Sequence, residues 1–408
     1  MKSWWTWVRR RPGSVVAMVV AMVWAAWGWL HVIAADDGHN TAIEASTTSS
    51  SAATGTSNAT TPGGKAPYSN AGIQSRQEQL ALAQRRYERA EQTYASYRDA
   101  TRYPFDSRPI AEHPDQTHPF APIEEELQLR GEKGDVAPGL RLRTTQERVF
   151  LSGQDTVKFT VSAVNDSGAT LPLTIRNSAA QTVPDSKTPV QLIHAALPFV
   201  DNGTDADEVA NDGRYSARLV PATQGFANHN GTIRVLAEVT ANGQQGFAQF
   251  DVVYTPGVPA TWGSVRESVE GGSLNFYIGA QVRRAGRYVV SARVDDANGK
   301  PFALVQFNDE VAEGSRQFKL QVFGALIRDK NPAFPLRLRD VDGFLLIPDQ
   351  FPDRATLPRW AGIVHTSQLY RPAQFSPSEW SSDERQRYLD EYAKDAENAR
   401  RSLADLSR

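Results

Sequence analysis

The stretch "DNGTDADEVANDGRY" at residues 201–215 is where this chain concentrates side chains that could do chemistry. It brings Asp201, Asp205, Asp207 and Asp212 together with Glu208, and interleaves Gly203 and Gly213. Calcium takes about six to eight oxygen ligands in flexible geometry, mostly carboxylates and backbone carbonyls. Four aspartates, with glycines that let carbonyls converge, supply both kinds, so Asp201, Asp205, Asp207 and Asp212 form the candidate metal set and structural Ca2+ the candidate ion. The spacing is not that of an EF-hand. Ala206 stands where that loop requires glycine, and strand-like alternation rather than helix flanks it. A second reading needs no ion. Asp, Asn and Gly are also what turns are made of, and Asp212-Gly213 can close a turn into Tyr215, Ala217 and Leu219 unaided. From sequence the two readings stay open.

Elsewhere the chain offers little for catalysis. It has no cysteine, which excludes disulfides, thiolate nucleophiles, iron–sulfur clusters and cysteine-ligated zinc. There is no G-x-S-x-G elbow, phosphate loop, dinucleotide fingerprint or HExxH pair. Glu112, His113, Asp115 and His118 sit close together, but their spacing matches neither a metal-binding helix nor a triad. No catalytic residue is assigned. Glycosidase-type carboxylates leave little local signature, so an envelope hydrolase with dispersed acids is the alternative to a non-enzymatic protein. A formal net charge of −2 argues against nucleic acid as a partner.

The elements that must position the acidic loop follow from hydrophobic pattern. Residues 1–13 carry Lys2, Arg9, Arg10 and Arg11 and are expected in the cytoplasm. Residues 14–35 have no charge and are long enough for a transmembrane helix; Asp36 and Asp37 follow. An uncleaved signal anchor is favoured over a cleaved signal peptide, whose apolar run is shorter. Residues 36–72 are a Ser/Thr/Ala/Gly linker too polar to form a core. Within residues 73–103, Leu80, Ala83, Tyr87, Ala90, Tyr94 and Tyr97 recur at spacings of three and four, which predicts an amphipathic helix. That helix either forms a homodimer seam through residues 73–100 or lies on the chain's own domain. Residues 104–139 open with Pro104, Pro109, Pro114 and Pro119 and read as an extended strap.

From residue 140 the pattern turns to period two. Val157, Phe159 and Val161, then Ile233, Val235, Ala237 and Val239, then Phe250, Val252 and Tyr254 each alternate with polar residues. Asn211-Asp212-Gly213 and Asn242-Gly243 are among the turns between them. Residues 140–256 are expected to form a first β-sandwich and residues 257–350 a second, separated by "TPGVPATWG". In the second set Leu336 and Leu338, then Phe344 and Leu346, read as separate inward-facing runs. "GRYSARL" at 213–219 is echoed by "GRYVVSARV" at 286–294, consistent with two related sandwiches in tandem. Residues 351–408 are read as an irregular segment and a charged helix, with Ser381 as its N-cap. The expected fold class is mainly β: two tandem Ig-like antiparallel sandwiches with flanking helices.

"DNGTDADEVANDGRYSARL", "AGRYVVSARVDDANGKPFALVQF" and "FPLRLRDVDGFLL" together resemble bacterial exported proteins with a choice-of-anchor X domain. The likeness covers about residues 100 to 350. It implies an exported, surface-attached protein built on Ig-like sandwiches. Asp201, Asp205, Asp212 and Gly213 are the positions that match its acidic signature, while Asn202 stands in for an acid and Asn211 for a small residue.

These readings converge on a single-pass protein of a bacterial inner membrane, with most of the chain periplasmic or extracellular. Its expected function is to bind or scaffold a protein or glycan partner in the envelope. Alkaline phosphatase fused after residue 72 is expected to be active. A mature protein that begins near Ala35 and washes off membranes would refute the anchor.

Overall fold

The computed structural model describes residues 70–130, 136–184 and 192–408. The expected span at 14–35 lies outside the described residues. Among those residues no helix is long and apolar enough to cross a membrane. The described chain is mainly β, with antiparallel sheets and three α-helices.

Two separate hydrophobic cores form, each enclosed by two sheets. The first sheet contains β2 (Ile123–Arg130), β3 (Val136–Gln146), β5 (Val157–Asn165) and β6 (Thr170–Leu171), with β9 (Tyr215–Leu219) also on β5. Facing it are β4 (Phe150–Ser152), β11 (Gln244–Thr255), β10 (Gly231–Ala241), β7 (Leu173–Thr182) and β8 (His194–Ala196), in that order. Phe159 and Val161 from one sheet and Val235 and Val252 from the other are fully buried between them. This is the outcome that period-two alternation demands when one face of a strand is dry.

The second core lies between β12 (Ala260–Glu270), β13 (Ser273–Val282) and β16 (Gly314–Val322) and a six-stranded sheet. That sheet runs β1 (Ser107–Pro109), β15 (Pro301–Val311), β14 (Gly286–Asp295), β17 (Arg337–Leu346) and β18 (Arg354–Thr356), with β19 (Trp360–Thr366) also on β17. Phe276, Phe318, Val290 and Leu338 fill its interior. The sheet thus continues past residue 350, and the stretch read as irregular contributes two strands. The stretch read as a linker at 255–263 already enters β12 at Ala260.

The proline-rich strap differs most from its expectation. Its first residues are an edge strand, with Ser107, Arg108 and Pro109 opposite Val305, Leu304 and Ala303. Proline is tolerated there because an edge strand need not donate on both sides. The chain therefore contributes to the second core, crosses to build the first, and returns. Beyond the edge strand the strap is held by β14 and β17. The Arg293 side chain is 1% exposed, and its Nε and Nη2 donate to the backbone and side-chain oxygens of Gln116 at 2.9 and 2.7 Å. Its Nη1 donates to the Asp340 carbonyl at 3.0 Å and to the Asp342 carboxylate. Arg339 Nη1 donates to the Thr117 carbonyl at 3.1 Å.

The two cores meet at β4 and β18. The Ser152 hydroxyl lies 2.8 Å from Thr255 Oγ1 on one side and 2.7 Å from Thr356 Oγ1 on the other. It also accepts from the Thr356 backbone N–H at 3.1 Å. The Arg354 guanidinium lies 5.0 Å from the Phe150 ring and 4.9 Å from the Phe344 ring, one from each core's sheets.

The helices pair with one another. α1 (Asn70–Ala100) begins within the segment read as linker, and α3 (Asp383–Ser407) runs antiparallel to it. Between them lies α2 (Gly324–Lys330), a short helix on the second core. Arg385 Nε donates to Thr101 Oγ1 at one end of the pair, and Arg76 Nη2 donates to the Leu406 carbonyl at the other. The Tyr97 ring sits 5.2 Å from Tyr392 and 5.8 Å from Tyr388. Ala83, Leu389 and Ala396 are buried in the seam. The heptad-like stripe that suggested a homodimer faces the chain's own C-terminal helix. The N-cap of α3 is Ser382, whose Oγ accepts from Arg385 N–H at 3.1 Å, and not the expected Ser381. At the base of the pair Arg102 grips Asp329 through Nε and Nη2, at 2.7 and 3.1 Å. That guanidinium holds the Asp329 carboxyl below its ordinary range. The clamp's contribution is therefore present above the unfolded-state pKa of about 4 and lost as the pH falls through the lowered value.

Gly324 marks the tightest backbone approach. A Cβ there would lie 2.1 Å from the Gly272 carbonyl oxygen and 3.0 Å from the Ser376 nitrogen. Gly324→Ala is expected to destabilise the fold by about 1–3 kcal/mol or more, because backbone must move to admit it. Gly257→Ala, with nothing within 4 Å of the added carbon, serves as the neutral control. Equal denaturation midpoints for the two variants would contradict the packing described here.

Candidate metal centre

The acidic loop leaves and rejoins the first core at one point. Val200 and Ser216 exchange backbone hydrogen bonds of 2.9 and 2.8 Å, so residues 201–215 are pinned at their base. Within the loop Gly203 and Gly213 have φ of 71° and 78°. A Cβ at Gly213 would also lie 2.8 Å from Thr170 Cγ2, so both conformation and space require glycine there.

The aspartates do two kinds of work. Asp201 closes the turn before β9: its two carboxylate oxygens accept from the backbone N–H groups of Asp212 and Gly213 at 3.1 and 3.0 Å. Asp207 is buried, and its Oδ2 accepts from Gly203 N–H at 2.6 Å. Asp212 Oδ1 accepts from Arg214 N–H at 2.9 Å. These bonds are what a turn built of Asp, Asn and Gly should show. Yet they also gather charge. One carboxylate oxygen from each of Asp201, Asp207 and Asp212 lies within 4.8 Å of the others. Among the described residues no Lys or Arg is ion-paired with any of these three.

Asp205 does not join them. It has φ of 54°, its side chain is 75% exposed, and its nearest charged partner is Arg218 at 3.6 Å. The left-handed backbone at this position is a local conformation that residue spacing does not carry. Glu208 likewise leaves the cluster to pair with Lys158 at 2.8 Å, whose hydrogen bond holds its carboxyl below the ordinary range. Of the four aspartates singled out from sequence, three converge and one points away. Three carboxylates at this separation could share one divalent cation, with neighbouring backbone carbonyls completing the oxygen shell that calcium requires.

Sequence reasoning missed two other side chains of interest. Arg148 and Arg359 come together beside the junction of the two cores, and a sequence separation of 211 (359 − 148) gives no local signal of it.

The hydrogen bonds and the charge cluster make separable predictions. Asp201→Ala orphans two backbone donors and should cost about 1–3 kcal/mol even with calcium removed. Asp205→Ala should stay within about 0.5 kcal/mol of the parent. Gly213→Val should be among the costliest changes in the loop. If the cluster holds calcium, the ion raises the melting temperature, and Asp207→Asn with Asp212→Asn removes that rise. An unchanged melting temperature with calcium and with chelator leaves the loop as a hydrogen-bonded turn.

No family model matches this chain, and no curated protein matches it. Among solved structures it is similar to a DUF4785 family protein from Legionella pneumophila, with 14% identity and a TM-score of 0.36 over 55% of this chain and 57% of that one. It is also similar to the Yersinia pseudotuberculosis adhesin InvE, at 12% identity and a TM-score of 0.16, covering 53% of this chain and 58% of that one. For dimeric latent PorU from Porphyromonas gingivalis the identity is 12% and the TM-score 0.17, covering 64% of this chain and 21% of that one. The chain thus spans less than two thirds of each of these structures.

Proposed function

We propose that this chain is a membrane-tethered, non-enzymatic binding or scaffold protein of a bacterial envelope. In this reading the two pairs of sheets act as tandem Ig-like sandwiches, and their loops meet a protein or glycan partner. The observation that carries it is the way the cores are coupled. Ser152 shares its hydroxyl with Thr255 and Thr356, and Arg354 lies against Phe150 and Phe344. A junction bonded in this manner favours one relative orientation of the sandwiches, which suits the presentation of loops at fixed separation. Binding residues placed on loops of a rigid framework lose less freedom on engagement than residues on a hinged pair.

The reading is tested in cells carrying the full chain. A photo-cross-linking residue at Val209 or at Leu192, both well exposed, is expected to trap a discrete envelope component. The same probe at Leu82, on α1, reports the background. No adduct from either loop position, with the chain present in the envelope fraction, sinks the binding reading. Turnover of an envelope polysaccharide by the purified chain would support the hydrolase instead.

A further inference from the structure

Two arginines beside the junction are poorly provided with counter-charge. Arg148 lies between β3 and β4, and Arg359 between β18 and β19, so each belongs to a different core. The strap adds a third segment, with the Phe120 ring 4.8 Å from the Arg359 guanidinium carbon. Arg359 Nη1 reaches the Glu147 carbonyl at a long 3.4 Å. Among the described residues no carboxylate comes within ion-pair distance of Arg359. The acids nearby are engaged elsewhere. Glu147 accepts from the Lys158 backbone N–H at 2.9 Å, and Asp342 accepts from Arg293. Asp155 accepts from the Ser152 N–H at 3.0 Å and pairs with Arg148 at 3.3 Å.

Arg148 is itself incompletely satisfied, because its Nε–H is buried without an acceptor. Burial, and after it the neighbouring Arg148 cation, pushes Arg359 down to about 10. Two guanidinium groups with one carboxylate between them leave donors and positive charge over. A guanidinium presents a planar fork of N–H donors that matches the oxygens of a carboxylate or phosphate. Access exists, since the Arg148 side chain keeps 20% of its surface in solvent and Arg359 is half-buried.

We propose that Arg148 and Arg359 form a binding site for a compact oxyanion, a phosphate or carboxylate group, at the junction of the two cores. The ligand's oxygens would accept from the solvent-facing N–H groups of both guanidinium forks and supply the missing negative charge. A group bound there touches both cores, so its occupancy stiffens the junction. The site uses none of the loop's aspartates and does not depend on the binding reading above.

The test uses the full chain and inorganic phosphate as the probe, at constant ionic strength. Phosphate should raise the melting temperature saturably in the millimolar range. It should also change tryptophan emission, because Trp360 adjoins Arg359 and its ring stacks on Trp262 at 6.5 Å. Acetate, titrated separately, tells a carboxylate-accepting site from one that demands phosphate. Arg359→Gln should abolish the response while leaving the phosphate-free melting temperature unchanged or higher, because the cation removed had no carboxylate partner. Arg148→Gln should weaken the phosphate response about tenfold or more. Arg359→Lys keeps the charge without the fork and should weaken the response while preserving the fold. The proposal is overturned by the absence of a saturable response in the parent chain. It is equally overturned if Arg359→Gln responds like the parent, or if that variant loses stability to the same extent with and without phosphate.

Discussion

The course of the strap that joins the two cores depends on one buried guanidinium. Arg293 spends its donors on Gln116, on the Asp340 carbonyl and on Asp342, and almost none of it reaches solvent. Removing such a group from water is costly unless its donors are met. Here they are met only if the strap lies where it does. The pairing of β14 with β17 shifts register between Ser291 and Arg293. A bulge of this kind re-aims groups that a regular ladder would point elsewhere, and it is Asp340 and Asp342 that Arg293 meets. Because Gln116 is fixed, β1 stays on the edge of one sheet while β2 enters another. The short segment between them then has little freedom to let the cores separate.

The aspartate loop shows the same principle at smaller scale. Asp201 and Asp207 satisfy backbone donors that the chain's reversals would otherwise leave bare. A carboxylate is a strong acceptor for such groups, so acids are a natural choice even without a metal. What the turns do not require is the mutual approach of three of them. A carboxylate oxygen has more than one lone pair, so an oxygen that accepts a turn N–H can also face a cation, and the loop can serve both.

Much of the β pattern was legible because its strands keep strict alternation against a dry core. β5, β10 and β11 are examples: Phe159, Val235 and Val252, read as inward-facing, are all buried. The reading failed where alternation breaks. At β17 and the residue before it, the inward set passes from Leu336 and Leu338 to Val341 and Leu345, because the bulge changes parity. Phe344 and Leu346 were read as a separate inward-facing run, yet Leu346 is 37% exposed. The three-residue strands β1 and β18 are too short to show a period, and Pro109 disguises the first. Both long helices were visible in their apolar stripes, but nothing local says that they pair. At the loop, residue types pointed to the segment where three carboxylates converge. Asp205, at φ 54° and beside Arg218, lies outside the three acids that converge, and residue spacing carries no sign of it.

The antiparallel course of α1 and α3 has a mechanical consequence. α1 has 31 residues and so is about 46 Å long at a rise of about 1.5 Å per residue. Its first turns lie beside the last turn of α3, where Arg76 meets the Leu406 carbonyl. Tension applied at the start of α1 and directed away from the sheets runs along the axis of that helix. It is borne at the far end by the Arg102–Asp329 grip and by the Trp380 N–H bond to the Arg102 carbonyl. α3 acts as a splint, resisting by shear along the tyrosine and alanine seam. Shear loads many contacts at once, whereas peeling would load them one at a time. The pair is therefore strong along its length and weak to a sideways pull at the tip.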